Sequence, residues 1–221
     1  MNVMLSNLVV LILIATGCVA QPDRYGMPAC EAPHQLARRV AFSLCFNPET
    51  RVAVWSIYEL LPEHLAAARM PRPGRFRRDA EVGSATDGDY HGSGYQRGHL
   101  VPASDVSWSA EALADSFLLS NAAPQRPAVN LSAVRRLENA IRRLAESDGA
   151  VYVVTGTLYD CGTEIEHIGR NNVAVPCAYY KVFRSVQGIR ASVVSNETKP
   201  IAEDVSVSLL ERRTGLQFFH E

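Results

Sequence analysis

The chain has 221 residues, of which 47% are hydrophobic and 20% are charged, and its mean hydropathy is −0.04. This composition is typical of a globular protein with room for one well-packed domain, or two at most. Because 22 Lys and Arg residues nearly balance 23 Asp and Glu residues, the net charge of −1 indicates neither a nucleic-acid partner nor a membrane surface.

The N-terminus begins with an apolar run, LVVLILIA at 8–15, which is too short to cross a bilayer and is followed by small residues. We predict that residues 1–20 are a signal peptide and that 21–221 form a single domain of an exported protein, periplasmic or extracellular, without a transmembrane segment. In the alternative, the run ends in a lipobox-like Ala-Thr-Gly-Cys, and Cys18 carries a lipid anchor. The preceding MNVMLSN lacks Lys and Arg, which is atypical of such a signal.

Four further cysteines follow: Cys30, Cys45, Cys161 and Cys177. An even number in an exported chain suggests two disulfides, and four cysteines allow three pairings. The two early and the two late cysteines form natural local pairs. A zinc site is the alternative, although no Cys-x-x-Cys is present.

Along the rest of the chain, apolar β-branched and aromatic runs alternate unevenly with loops and helical patterns. We predict strands at 36–46, 52–60, 151–157, 178–184 and 189–195, loops at 69–79 and 81–94, and helices at 131–146 and 206–213. The helix at 131–146 would place Leu131, Val134, Leu137, Ile141 and Leu144 on one face. Because the elements do not alternate as regular βαβ units, we predict an α+β fold.

Ionisable and amide side chains concentrate in two stretches, SGYQRGHLVPASD at 93–105 and SNAAPQRPAVN at 120–130, and on the helix that follows. On that helix Glu138 and Arg142 lie four residues apart on one face. A histidine base, an amide oxygen for a hard cation and arginines for phosphate are a set suited to cleaving a phosphodiester.

Each residue also has a simple structural interpretation. His99 could be a turn residue, Asn130 a helix cap, Glu138 with Arg142 a surface ion pair, and the arginine run at 69–78 a solvated loop. Taken one at a time, none of the functional interpretations is stronger than these.

The order and spacing of the residues resemble the DNA/RNA non-specific endonuclease family, whose signature is Ser-Gly-Tyr/Phe-Asp-Arg-Gly-His followed by Leu-x-Pro/Ala and Asp. Here SNAAPQ places Asn121, and Asn130, Glu138 and Arg142 follow at the family's intervals of nine, eight and four residues. The similarity runs from Cys30 to the end of the chain. It implies a ββα-metal (His-Me finger) fold, with a central, mostly antiparallel sheet flanked by helices.

The resemblance also implies residue roles, a cofactor and a substrate. It implies an endonuclease that uses Mg²⁺, with Mn²⁺ as a substitute, on DNA and RNA without sequence specificity; an inhibitor protein is an open possibility. The implied roles are His99 as general base, Asn130 as metal ligand, Glu138 as holder of a metal-bound water, Arg97 and Arg142 as phosphate-stabilising groups, Asn121 as an orienting residue, and Arg72 and Arg75 as nucleic-acid contacts. Arginines at 69–78 and 135–143 would wall the substrate groove.

The chain departs from the family at Gln96, where the signature has Asp. Glutamine keeps the hydrogen-bonding capacity near the metal but lacks the negative charge. Two alternatives to a nuclease therefore remain at this point: a catalytically weakened nucleic-acid-binding protein of the same fold, and a structural disulfide protein without a ligand.

Overall fold

The structure, a computed structural model, describes residues 26–219. Its strands are β1 (Gln35–Arg38), β2 (Phe42–Asn47), β3 (Val52–Leu60), β4 (Gln96–His99), β5 (Ala122–Gln125), β6 (Val151–Leu158), β7 (His167–Ile168), β8 (Val173–Ala174), β9 (Ala178–Ser185), β10 (Gly188–Ser195) and β11 (Ala202–Val205). Its α-helices are α1 (Pro62–Ala66), α2 (Asp87–Tyr90), α3 (Ala110–Ser116), α4 (Val134–Asp148) and α5 (Val207–Thr214). A 3₁₀ turn spans Leu119–Asn121 and a π-helical turn spans Val129–Ala133.

Seven strands form one antiparallel sheet in the order β1-β2-β3-β6-β9-β10-β11. Side chains alternate between the two faces of a strand, and the central strand β6 is buried on both faces. Val151 and Val153 pack into the core beneath α4, whereas Tyr152 and Val154 pack into a second core with Leu210 of α5. The sheet thus separates two apolar cores. Because the central strand contacts both cores, its sequence is a continuous hydrophobic run.

The predicted α+β class is confirmed, since an antiparallel sheet is combined with helices on its faces. The prediction of a single strand at 36–46 is wrong. The segment forms two strands, β1 and β2, which are separated at 39–41 and pair with each other as a hairpin. The loop at 81–94 contains the one-turn helix α2, which a Thr86–Asp89 capping box supports. The prediction had also assigned no element to the β4–β5 ribbon or to α3.

The long helix starts later than predicted because the chain from Val129 to Ala133 forms a π turn. A π turn contains more residues than an α turn, so the residues within it do not follow the α-helical register. Leu131 consequently lies outside the apolar face and is 60% exposed, while Val134 and Ile141 are buried. The prediction that Leu131 belongs to the apolar face is therefore wrong.

Two disulfides tie the periphery to the sheet. Cys30 bonds to Cys45 of β2, and Cys161 bonds to Cys177, which closes the segment between β6 and β9. The predicted local pairs are confirmed. All four sulfur atoms are covalently bonded, so the zinc alternative is wrong.

Candidate active site

The ribbon of β4 and β5 carries the Gln-Arg-Gly-His motif. Gly98 lies opposite Ala123, and the side chain of Gln125 packs directly over the Gly98 backbone. A Cβ atom at position 98 would come within 2.1 Å of the Gln125 side chain, which is closer than atoms can approach. A side chain at position 98 would thus displace the buried side chain of Gln125, and the glycine of the motif leaves room for it.

His99 is half-buried in an aromatic setting. Its ring centroid lies 4.8 Å from that of Phe76 and 5.0 Å from that of Phe117, which it meets edge-on. Burial and then the positive charge of Arg72 lower the pKa of His99 to about 3. The Nε2 atom is enclosed without a hydrogen-bond partner, and among residues 26–219 no hydrogen bond occupies Nδ1 either. At neutral pH the imidazole is thus uncharged and available as a proton acceptor.

The loop at 69–79 supplies the walls around His99. Arg77 exchanges backbone hydrogen bonds with Phe117 and Leu119, at 2.9 and 2.8 Å. The carboxylate of Asp79 is buried where the loop ends, and it accepts from Ser120 at 2.6 Å and pairs with Arg39 at 2.5 Å. These contacts fix the position of Phe76 beside His99.

Asn121 is fully buried, and its side chain hydrogen-bonds to backbone groups. Its Nδ2 donates to the carbonyls of Val101 and Ser116, both at 3.0 Å, and its Oδ1 accepts from the Val101 N–H at 3.0 Å. The carboxamide has no free atom for a substrate. It holds the backbone of Val101, two residues after His99.

Asn130 lies in the π turn and is only partly buried. Its Nδ2 donates to Oε1 of Gln96 at 2.8 Å, so the amide is oriented by the residue at which the chain departs from the family signature. Its Oδ1 accepts no hydrogen bond from the described residues. The helix-cap interpretation is wrong, since Asn130 lies within the π turn and its side chain bonds to Gln96 in place of the backbone.

Glu138 and Arg142 lie under the protein surface, with 12% and 15% of their side chains exposed. Their ion pair measures 3.5 Å, and Glu138 also lies 3.8 Å from the ammonium of Lys181. Burial raises the pKa of Glu138, while Lys181 and Arg142 oppose that rise. The surface ion-pair interpretation is therefore wrong, and Glu138 belongs to a buried network.

Arg142 is held mainly by residues from the first motif. Its Nε bonds to Oδ1 of Asp105 at 2.5 Å and its NH2 to Ser104 at 2.8 Å, while NH1 bonds to Asn139 at 2.7 Å. Asp105 in turn accepts from the Tyr58 hydroxyl at 3.1 Å. Every nitrogen of this guanidinium already has a protein partner.

The other candidate arginines differ in their contacts and in their exposure. Arg97 pairs with Asp87 at 2.7 Å and lies over the Tyr90 ring. Arg72 is exposed, and its guanidinium lies 5.7 Å from the centre of the Phe117 ring. Arg75 is exposed on the same loop. Arg72 is thus the arginine whose charge acts directly on His99.

The structure therefore groups the predicted residues in three sets. Gln96 contacts Asn130, Glu138 contacts Arg142, and Arg72 lies near His99. Sequence analysis gave no role to Lys181, Asp105 or Tyr58. Two features of the sequence could have indicated a role: Lys181 is a lysine within the apolar strand AYYKVF, and Asp105 is the aspartate that ends the first motif.

The fit of these residues to a divalent cation can be judged from Asn130. Its amide oxygen is a suitable ligand for a hard cation, and its nitrogen is turned away toward Gln96. Among residues 26–219, no three His, Cys, Asp or Glu side chains are grouped as a metal cage. The residues fit Mg²⁺, which keeps several waters and needs few protein ligands beside the substrate phosphate.

Residues 24–221 match the family model described as DNA/RNA non-specific endonuclease. The chain belongs to this family. It is accordingly a nuclease and a hydrolase, of a metal-dependent family.

Relatives of the DNA/RNA non-specific endonuclease family agree over most of the chain. Human mitochondrial endonuclease G is 38% identical over 216 residues, covering 88% of this chain and 72% of the relative. The mitochondrial nuclease of Saccharomyces cerevisiae is 32% identical over 230 residues, covering 90% and 69%. The solved structure of EndoG in its complex with EndoGI, a study of EndoG inhibition, matches with a TM-score of 0.78 and 30% identity over 88% of each chain. The predicted ββα-metal fold is confirmed by this match.

The prediction of an exported protein is wrong in the light of these relatives, and the lipid anchor at Cys18 is withdrawn with it. The human, bovine and two yeast relatives are all named as mitochondrial nucleases. The apolar run at 8–15 was the main basis for export, and hydrophobicity alone does not specify a compartment when the basic flank is missing. The predicted signal peptide at 1–20 lies outside the described residues. Within the described part of the chain, no helix has the length and apolar character needed to span a bilayer.

Proposed function

We propose that this nuclease is a Mg²⁺-dependent endonuclease that hydrolyses phosphodiester bonds of DNA and RNA without sequence specificity, with His99 as general base. The observation that carries the proposal is the His99 ring, enclosed by Phe76 and Phe117 without a hydrogen-bond partner for Nε2, on the same ribbon as Gln96, whose side chain holds the amide nitrogen of Asn130. Mn²⁺ would substitute for Mg²⁺, since both accept oxygen ligands.

His99 would take the proton from the attacking water. A base is effective only in its unprotonated form, and the low pKa of His99 keeps it in that form throughout the neutral range. Phe76 and Phe117 restrict the ring and limit the access of bulk solvent to it. Asn121 fixes the backbone that carries the ring.

Asn130 would hold the cation through its Oδ1, with Gln96 keeping the amide in the correct rotamer. When bound, the cation neutralises charge on the phosphate and on the leaving oxygen. Glu138 would act as a carboxylate that accepts a hydrogen bond from a water in the site and orients that water to give its proton to the leaving oxygen. Burial raises the pKa of Glu138, and the positive charges of Lys181 and Arg142 oppose that rise and so favour the carboxylate form.

The exposed arginines on the loop at 69–79 would hold the substrate. Arg72, whose charge acts on His99, and Arg75 would contact phosphate oxygens through their exposed guanidinium groups. Arg97 would stabilise phosphate charge from its pair with Asp87. Because all nitrogens of Arg142 already have partners, we assign it the fixing of Glu138 and Asp105 in place of direct phosphate contact. Contacts to phosphate read no base edge, and this accounts for cleavage without sequence specificity.

The test is incubation of the purified protein with supercoiled plasmid and with single-stranded RNA, in Mg²⁺ and in excess EDTA. We expect nicking and then degradation of both substrates in Mg²⁺ alone. Full activity in EDTA would contradict the cation requirement. Retardation of the plasmid in a gel without cleavage would instead support a protein that only binds nucleic acid, and no effect on either substrate would contradict both.

A further inference from the structure

Lys181 is a charged residue in the interior of the protein. It lies in the central part of β9 and is 3% exposed. Its ammonium lies 2.8 Å from Oγ1 of Thr155, 3.4 Å from the carbonyl oxygen of Leu100 and 3.8 Å from Oε1 of Glu138. The three partners come from β6, from the residue directly after His99, and from α4.

The burial of this ammonium has a cost that its surroundings must offset. Removal from water lowers the pKa of Lys181, whereas the carboxylates of Glu138 and then Asp105 raise it. A buried cation is retained only where a carboxylate and further hydrogen-bond acceptors surround it. The cluster around Lys181 provides both.

The charged groups that face Glu138 are few. Lys181 lies on β9 and Arg142 on the same helix as Glu138, while Asp105, bonded to Tyr58 of β3, lies on the chain after β4. Arg142 is 2.5 Å from Asp105 but 3.5 Å from Glu138, so its charge is directed mainly at Asp105. Lys181 is consequently the cation whose carboxylate partner is Glu138.

We propose that Lys181 is a positioning residue of the nuclease site, whose ammonium joins the Glu138 carboxylate to the backbone of Leu100 and thereby fixes Glu138 relative to His99. The inference rests on the proposed function, in which His99 and Glu138 act on the same phosphodiester. Because Lys181 is buried, we expect it not to contact the substrate. Its loss should therefore change turnover more than substrate binding.

The decisive variant is Lys181→Met, which keeps the length of the side chain and removes the charge. We expect kcat to fall about 10- to 100-fold with KM little changed, as is usual when a partner of a catalytic ligand is lost. Without the ammonium, Glu138 should protonate at higher pH, so the acid limb of the pH–kcat profile should move up by about one pH unit or more. Lys199→Met, at an exposed lysine, is the matched control and should behave as the wild type.

A double-mutant cycle separates positioning from general damage. Once Glu138 is replaced in Glu138→Gln, removal of Lys181 should cost little further activity, because the group it positions is gone. The cycle is repeated with urea denaturation, where we expect the double variant to be more stable than Lys181→Met alone, since no buried charge is left unpaired. Equal fold losses in both backgrounds, together with an unshifted acid limb, would overturn the proposal.

The failure of the proposed function would look different. If Glu138→Gln is as active as the wild type, then the assigned role of Glu138 fails, while the urea cycle still reports whether Lys181 and Glu138 are coupled. If Lys181→Met does not fold, Thr155→Val carries the test, because it removes the closest acceptor and keeps every charge. A lower kcat with unchanged KM in that variant supports the proposal, and an unchanged kcat overturns it.

Discussion

The π turn and the body of helix α4 contribute to the site in opposite ways. Asn130 in the turn is neutral, and among the described residues its side chain hydrogen-bonds only to a second neutral amide, that of Gln96. Glu138 and Arg142 on the helix belong to a buried network with Asp105 and Lys181. The proposed cation site therefore has a neutral protein ligand and few contacts, whereas the supporting network holds the charges.

The difference indicates where each kind of residue can be changed. In the network the two carboxylates balance the two cations, so the loss of one charge leaves its partner buried and unpaired. Asn130 is uncharged and has no charged partner, so a substitution there should affect cation binding alone. Substitutions in the network should act on stability and function together, while those at Gln96 and Asn130 should act on function only.

Between the π turn and the body of α4, the larger effect on function is expected at Asn130. In Asn130→Ala the amide oxygen is lost, and we expect Mg²⁺-dependent cleavage to fall by more than about 100-fold, since outer partners of metal ligands alone account for 10- to 100-fold. Thermal unfolding should remain close to that of the wild type, because the side chain is only partly buried. Plasmid cleavage across a Mg²⁺ titration measures the effect, and near-normal activity at low Mg²⁺ would remove Asn130 from the cation site.

The largest effect on stability is expected in the network. Arg142→Met leaves Asp105 buried without its closest cation, and we expect the free energy of unfolding to fall by about 3–5 kcal/mol. Combining it with Asp105→Leu, which removes the unpaired charge, should restore much of that loss. Urea denaturation provides the measurement, and an Arg142→Met protein as stable as the wild type would show that the pair is not buried as described.

Gln96 offers a smaller and more selective change. Gln96→Glu keeps the length of the side chain and the acceptor for Asn130 Nδ2 while adding a negative charge beside the proposed cation. We expect the Mg²⁺ concentration for half-maximal rate to fall several-fold, in the range known for partners of metal ligands, and to rise in Gln96→Met, which has no comparable acceptor. If Gln96→Glu needs more Mg²⁺ than the wild type, glutamine is the fitted residue of this site and the missing charge is no weakness.

The smallest effect is expected for the exposed arginines. Arg75→Ala should weaken binding of any nucleic acid to a similar extent and reduce the slope of log affinity against log salt by about 1. Arg212→Ala, on α5 against the opposite core, is the matched control and should change neither quantity. The measurement is the affinity for a DNA and an RNA oligonucleotide at several salt concentrations. An unchanged salt slope in Arg75→Ala would exclude this loop from the nucleic-acid interface.

Sequence analysis could predict the polar residues of the candidate site from their order and spacing along the chain, which require no knowledge of the fold. It could not place Lys181, because the contacts of Lys181 with Leu100 and Glu138 join residues 81 and 43 positions apart in the chain. The π turn was missed for a local reason: its residues follow an apolar pattern compatible with an α-helix, and only the position of Leu131 reveals the shift. The interpretation of Glu138 with Arg142 as a surface pair failed because spacing on a helix does not reveal whether a face is covered.

The role of His99 is the central claim, and the most direct measurement is the rate of Mg²⁺-dependent plasmid cleavage by His99→Ala beside the wild type, with thermal unfolding and plasmid binding of both proteins measured in parallel. Loss of the base should lower the cleavage rate by about 10²–10⁴-fold while folding and plasmid binding persist. A folded His99→Ala protein that cleaves plasmid at a rate near that of the wild type would contradict the account.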